Sequence, residues 1–205
     1  MDETLVLHEY SASGNCYKIR LTAALLGLPL ERREYNILKG ETRTPSFLAI
    51  YPNGRIPVLQ AGSRFIPESN AACFYLADGS PLVPEDRFDR ADMLRWMFFE
   101  QYSHEPNIAT LRFWLAFVGE ENLTELQRAM LPAKREAGAA ALKLMDEHLA
   151  TRPFFVGDRL TLADIALYAY THVAGEGGFD LTAYPAVAAW LARVAAEPDH
   201  LPLAA

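Results

Sequence analysis

Along residues 4–10, TLVLHEY, apolar and β-favouring positions dominate, and the chain then passes through small polar residues into residues 15–26, a segment apolar almost all the way round. The first pattern predicts a β-strand; the second predicts a buried helix closed by Gly27 at its C-terminal cap, with Pro29 beyond. LERREY, residues 30–35, is strand-length and follows after a short break, so a parallel strand completing a βαβ unit is the economical connection. Thr44 can cap a short helix over residues 45–50 with Pro45 at its first position. IPVLQAGSRFIPES then predicts a tight antiparallel hairpin turning at residues 61–63, and Glu68 or Ser69 opens a helix to about Ala77. The first 78 residues therefore read as βαβ followed by ββα.

DGSPLVPED is dense in Gly, Pro and acids, and everything after it is helical in period. We place domains at residues 1–78 and 87–205, joined by a linker at 79–86, the second domain being all-α. Within it, residues 88–118 form a long amphipathic stretch that should break near Pro106, and Leu142, Met145 and Leu149 recur on one face. RLTLADIALYAY carries the sharpest local signal: Thr161 and Asp164 fit a capping box, and Leu160 and Ile165 sit where a hydrophobic staple would close.

Composition changes this picture only by exclusion. The 205 residues are 51% hydrophobic and 22% charged, ordinary for one large or two small globular domains. A net charge of −7 without a Lys/Arg cluster opposes a nucleic-acid partner. Cys16 and Cys73 fit neither a disulfide framework nor a zinc spacing, which suits a reducing compartment. With no signal-like N-terminus and no run approaching ~18 apolar residues, the expectation is a soluble, cytoplasmic protein with no membrane partner. The five histidines show no H-x-H or H-E-x-x-H spacing, so no metal is expected.

Candidate chemistry begins where the first helix does. A helix end packed on a sheet leaves its first N–H groups unpaired, and with the helix dipole these favour an anion. Ser11, Ser13, Gly14 and Asn15 would let a ligand approach closely; equally, Ser13 or Asn15 would serve simply as the cap. In NGRIPVLQ, the proline pushes Ile56 to an extended conformation that turns its backbone polar groups to one side. In PESNA, Glu68 and Ser69 open a helix, where an acid is also a favourable dipole partner. In a βαβ–ββα order the three features fall on one edge of the sheet, and a small zwitterion would find an anion site, a backbone ladder and a carboxylate there.

In order and spacing, SGNCYKIRLTAALLGLPLE, FLAIYPNGRIPVLQ, PESNAACFYLA and FVGDRLTLADIALYAY resemble the activating loop, cis-proline loop, γ-glutamyl site and C-terminal capping box of the cytosolic glutathione transferase family. The resemblance covers nearly the whole chain. It implies a thioredoxin-like N-terminal domain and an all-helical C-terminal domain, glutathione as co-substrate with no metal, a role in detoxification and a homodimer. Ser13 takes the place of the activating serine of theta- and delta-like classes, and Asn15 that of an asparagine that bacterial classes pair with a hydroxyl; Tyr10 and Ser11 are competitors for the activating role. By the same resemblance Ile56 would pair with the cysteinyl backbone, Pro57 would be cis, and Glu68 and Ser69 would bind the γ-glutamyl end. Lys39 and Arg55 are the nearest cations for the glycyl carboxylate, and Asn70 stands where many theta- and delta-like members have arginine. The small electrophilic substrate would meet the thiolate between the domains, beside His104, Glu105 and Arg112 near the expected break at Pro106. A thiol at Cys16, in the first helical turn, would be acidified unless it is buried. Two other readings share the fold: a glutathione-dependent disulfide or peroxide reductase, and a non-catalytic carrier or interaction module.

Overall fold

The computed structural model describes residues 4–205. They form two compact units, one comprising the residues up to Val83 together with Pro198–Ala205, the other Pro84–Glu197. The last eight residues, assigned to the helical domain on sequence, thus belong with the first unit.

In the first unit β1 (Leu5–Glu9), α1 (Gly14–Leu25) and β2 (Glu31–Glu34) make the expected βαβ unit, with β1 and β2 parallel. α2 (Pro45–Ile50) is capped by Thr44, whose hydroxyl accepts from the Phe47 N–H. β3 (Val58–Ala61) and β4 (Arg64–Pro67) form the antiparallel hairpin, and α3 (Ser69–Ala77) follows. The sheet order is β2-β1-β3-β4, giving a thioredoxin-like arrangement.

α1 ends as its sequence requires. Gly27 adopts φ 63°, its N–H donates to the Ala24 carbonyl, and the Leu28 N–H donates to that of Ala23. These two bonds are a Schellman closure, which needs a left-handed residue and therefore favours glycine. Eight consecutive residues, 16–23, are buried, so the helix has no solvent face, and Lys18, Arg20 and Thr22 are buried with the apolar residues. One side is covered by residues 198–205: the Tyr17 hydroxyl donates to the Leu201 carbonyl at 2.6 Å, and Arg20 Nη1 to that of Ala205 at 2.9 Å.

The second unit contains α4 (Arg87–Phe99), α5 (Glu105–Arg112), α6 (Glu125–Leu149), α7 (Leu162–Thr171) and α8 (Pro185–Ala195). All of α7 is buried. Its start is the expected capping box, in which the Asp164 carboxylate accepts from both the N–H and the hydroxyl of Thr161. Leu160 and Ile165 are both buried at the flanking staple positions. Asp164 also accepts from the Phe155 N–H and Trp190 Nε1, each at 3.0 Å.

One expectation is corrected. The helix does not break at Pro106; a π-helical segment, Glu100–His104, joins α4 to α5, and a second, Phe113–Val118, extends α5. Proline lacks an N–H and its ring crowds the carbonyl four residues earlier. π winding shifts the ladder to i→i−5, as in the bond from the Glu105 N–H to the Glu100 carbonyl, so the chain stays helical through Pro106. Among the described residues no helix is long and apolar enough to cross a membrane.

Candidate functional site

Strand register determines which residues can meet. His8 pairs with Val58 in the antiparallel β1–β3 pair, and Val58 pairs with Pro67 across the hairpin. Tyr10 lies just past β1, Ile56 two residues before β3 and Ser69 two residues past β4, a row of chain positions leaving the sheet at the same end. The Ile56–Pro57 peptide in that row is cis. The three sequence features therefore share one edge.

Ser13 is the N-cap of α1, with extended backbone and its Oγ accepting from the Cys16 N–H at 3.4 Å. A hydroxyl has one proton and two lone pairs, so capping uses an acceptor position and leaves the proton to donate elsewhere. The capping and anion-binding alternatives are thus compatible in one residue. Ser11 is differently placed: its N–H donates to both oxygens of the Glu34 carboxylate at 2.9 and 3.0 Å, and its hydroxyl donates to Oε1 at 3.2 Å. Arg20 Nη2 holds the Ser11 carbonyl at 2.6 Å. All the polar groups of Ser11 are thereby engaged in fixing the loop.

Tyr10 is half-buried, and its backbone N–H points at Cys16 Sγ, 3.4 Å away. Cys16 is fully buried, and burial pushes its thiol up to about 12, against the smaller opposing effect of the Tyr10 and Ser13 bonds. It is a structural thiol. Cys73, in α3, is buried as well.

At the other helix start, Glu68 is exposed with φ 70° and ψ 113°, and its Oε1 accepts from the Tyr51 hydroxyl at 2.7 Å. A non-glycine residue at positive φ is strained, and such strain persists where surrounding bonds hold it. Ser69 is buried, and its hydroxyl donates to Asn15 Oδ1 at 3.3 Å, joining the N-termini of α3 and α1. Lys18, fully buried, reaches Ser69 Oγ at 3.5 Å. Lys39 lies in a 3₁₀ turn after β2 and Arg55 in the loop before Ile56, both exposed. Tyr51, Lys18 and Glu34 are the participants that sequence reading missed; no local pattern marks them, since each acts on a residue at least 17 positions away.

The helical-unit candidates are less accessible than an exposed kink would make them. His104 is buried with Nε2 2.9 Å from the Thr171 hydroxyl, and Arg112 is buried with Nε donating to Glu176 at 2.8 Å. Glu105 opens α5 and is half-buried. Among the described residues, no group of three His, Cys, Asp or Glu side chains is placed to hold a metal ion.

Residues 5–78 match the glutathione S-transferase N-terminal domain family and residues 102–198 the glutathione S-transferase C-terminal domain family. A crystal structure of a glutathione S-transferase from Pseudomonas fluorescens Pf-5 is 47% identical, with a TM-score of 0.91 over 97% of this chain and 98% of that one. A zeta-class glutathione S-transferase from Euphorbia esula is 32% identical over 88% of this chain and 81% of its own length. Elongation factor 1-gamma from Artemia salina is 30% identical over 83% of this chain, which spans 40% of that protein's length.

Proposed function

We propose, since the chain belongs to the glutathione S-transferase family, that it binds glutathione at the sheet edge formed by Ser13, Ile56 and Ser69 and activates its thiol for attack on a small electrophile. Ser13 is the activating residue. The observation that carries this reading is the contrast between two serines: Ser13 Oγ accepts the capping bond and keeps its proton, whereas the Ser11 hydroxyl donates to Glu34.

Energetics suffice without a metal or a general base. A thiol of pKa about 8.5 is a few per cent thiolate at neutral pH, and lowering it by ~2 units requires about 2.7 kcal/mol of preference for the anion. One hydroxyl bond to a charged acceptor contributes roughly 1.5–3 kcal/mol and a helix N-terminus roughly 0.3–1. The thiol proton leaves to solvent, the sulfur lone pair forms the new bond to carbon, and the leaving group departs with its electron pair. Ile56 would pair with the cysteinyl backbone, while Ser69 and Glu68 would hold the γ-glutamyl carboxylate and amine. Lys39 and Arg55 remain the candidates for the glycyl carboxylate.

The test is a pH titration of the ultraviolet thiolate absorbance of bound glutathione in wild type, Ser13→Ala and Ser11→Ala. A depressed thiol pKa that Ser13→Ala abolishes and Ser11→Ala keeps supports the reading; loss of the shift in Ser11→Ala instead overturns the assignment. The likeness to elongation factor 1-gamma favours a second reading, a module for protein contacts. Absence of glutathione binding by the wild type would select it.

A further inference from the structure

We propose that Arg20 is a positioning residue for the loop that carries Ser13, and that the docked tail, residues 198–205, latches this loop by holding the Arg20 guanidinium in place. The glutathione reading above supplies what the loop is for; the latch itself follows from the bonds of one buried side chain.

The three nitrogens of Arg20 reach three separate stretches of chain. Nε lies 3.2 Å from Glu9 Oε2 at the end of β1, Nη2 donates to the Ser11 carbonyl at 2.6 Å, and Nη1 donates to the Ala205 carbonyl at 2.9 Å. The guanidinium is planar and its N–H directions are fixed, so a turn that improves one bond worsens the others. Where the tail holds Nη1 therefore bears on where Nη2 holds Ser11. Ser11 and Ala12 are the central residues of a turn closed by the Ser13 N–H, which donates to the Tyr10 carbonyl at 2.9 Å. Pinning the Ser11 carbonyl thus orients the residue that caps α1.

Electrostatics give the tail its hold. Arg32 Nη1 also donates to the Ala205 carbonyl at 2.9 Å, and Arg32 Nε pairs with Glu9 Oε1, so two guanidinium groups share one carboxylate and one tail carbonyl. These three side chains carry one positive charge in excess, and a carbonyl oxygen accepting from both cations offsets part of it. Without the tail, Arg20 Nη1 would face water beside Arg32 and be free to turn away from Ser11. Packing under the tail is incomplete, since Leu201 and Ala205 line an open cavity of about 200 Å³ with Ala23, Ala24 and Leu28. Such a segment opens locally ahead of the core. Pro198 and Pro202 restrict the free tail and so reduce the entropy lost when it redocks.

The experiment compares wild type, a chain ending at Glu197, Arg20→Lys, the two changes combined, and Leu201→Ala. Amide hydrogen exchange at Ser13 reads the loop, and exchange at Leu59, buried in the internal strand β3, reads the stability of the unit. Calorimetry reads glutathione affinity and ultraviolet titration the bound-thiol pKa. Removing the tail is expected to speed Ser13 exchange about tenfold or more with Leu59 unchanged, to weaken glutathione about tenfold and to raise the bound-thiol pKa. Arg20→Lys keeps the charge beside Glu9 but donates from a single nitrogen, so its effects should be similar. Because the tail acts through Arg20, truncation on top of Arg20→Lys should add little. Unchanged Ser13 exchange without the tail, a rise at Leu59 as large as at Ser13, or fully additive losses in the combined variant each overturn the inference and leave the glutathione reading standing. Should the truncated chain fail to fold, Leu201→Ala decides: faster Ser13 exchange supports the latch and wild-type exchange overturns it. If the wild type binds no glutathione, the function proposed above falls, and the exchange measurements still decide the latch.

Discussion

Ser11 is pinned from two sides, by the Glu34 carboxylate on its N–H and hydroxyl and by Arg20 on its carbonyl. Glu34 itself is exposed, so its bonds order a loop more than they stabilise a fold. Glu34→Gln should therefore raise the KM for glutathione several-fold while changing unfolding free energy by less than about 1 kcal/mol. Steady-state kinetics beside urea melts check this, and a large stability loss with unchanged KM would contradict it. Glu9 presents the opposite case. It is fully buried between Arg20, 3.2 Å away, and Arg32. Glu9→Ala leaves a buried guanidinium without its partner and should cost about 3–5 kcal/mol, read from chemical unfolding. Ser13, Ile56, Pro57, Glu68 and Ser69 were legible in the sequence because each is marked by its immediate neighbours: a cap before an apolar run, a proline after an extended residue, an acid at a helix start. Glu9, Lys18 and Glu34 were not, because what gives them meaning is a partner 23 or 51 residues away.

Elements follow the same division between local and distant causes. α1, α2, the hairpin and α3 were readable because Gly27, Thr44–Pro45, the turn at Gly62 and the Glu68–Ser69 start each fix an end through local chemistry. The burial of α1 on every side was readable from its apolar sequence; the docking of residues 198–205 against it was not, since no pattern in that tail names its target. Pro106 misled for a physical reason: proline forbids an α-helical bond but not a helix that changes its winding one turn earlier. The Asp164 capping box was legible, but its reach was not, because the same carboxylate also accepts from Phe155 and Trp190. Asp164→Ala would strand several buried donors, each costing ~1–3 kcal/mol, and should unfold the helical unit or lower its stability by more than about 3 kcal/mol. Asp164→Asn, which retains one carbonyl acceptor, should lose less. Gly138 in α6 gives a contrasting prediction. Alanine normally improves a helix interior by about 1 kcal/mol, but a Cβ at Gly138 would overlap the Phe179 ring. Phe179 packs against the cluster of Leu111, Leu123 and Leu131, so it cannot swing away freely. Gly138→Ala should lower the thermal midpoint; a raised midpoint would show that the ring yields.

At the scale of the whole molecule, acid sensitivity follows from which groups the fold keeps neutral. His8 is buried, with Nδ1 3.0 Å from the Tyr35 hydroxyl and Nε2 3.1 Å from Gln60 Oε1. Gln60 Nε2 donates to the Gly62 carbonyl, so its oxygen must face His8, which places the imidazole proton on Nε2. Burial, opposed by the Gln60 bond and reinforced by Arg33, holds His8 below its ordinary value of 6.5; burial also lowers His148 and His200. For a histidine depressed in the folded state, the unfolded chain takes up the proton first. Stability is then fully present above about 6.5 and is lost as pH falls toward the folded-state value. Asp164 acts in the opposite sense: burial raises it from 3.8 to about 6, so over that window the folded state holds the extra proton and gains stability on acidification. Above about 6, before Asp164 takes up its proton, the three imidazoles are the ones of these groups that titrate, and stability falls. The urea midpoint should therefore fall between about pH 7.5 and about pH 6, a range that stays above the sequence pI of 5.2, where association would obscure the transition. His8→Gln removes one of the three groups and should flatten that slope while lowering stability at neutral pH, since the Tyr35 bond is lost. A slope unchanged by the substitution would mean that His8 is protonated alike in the folded and unfolded chains, and that the acid limb comes from His148 and His200.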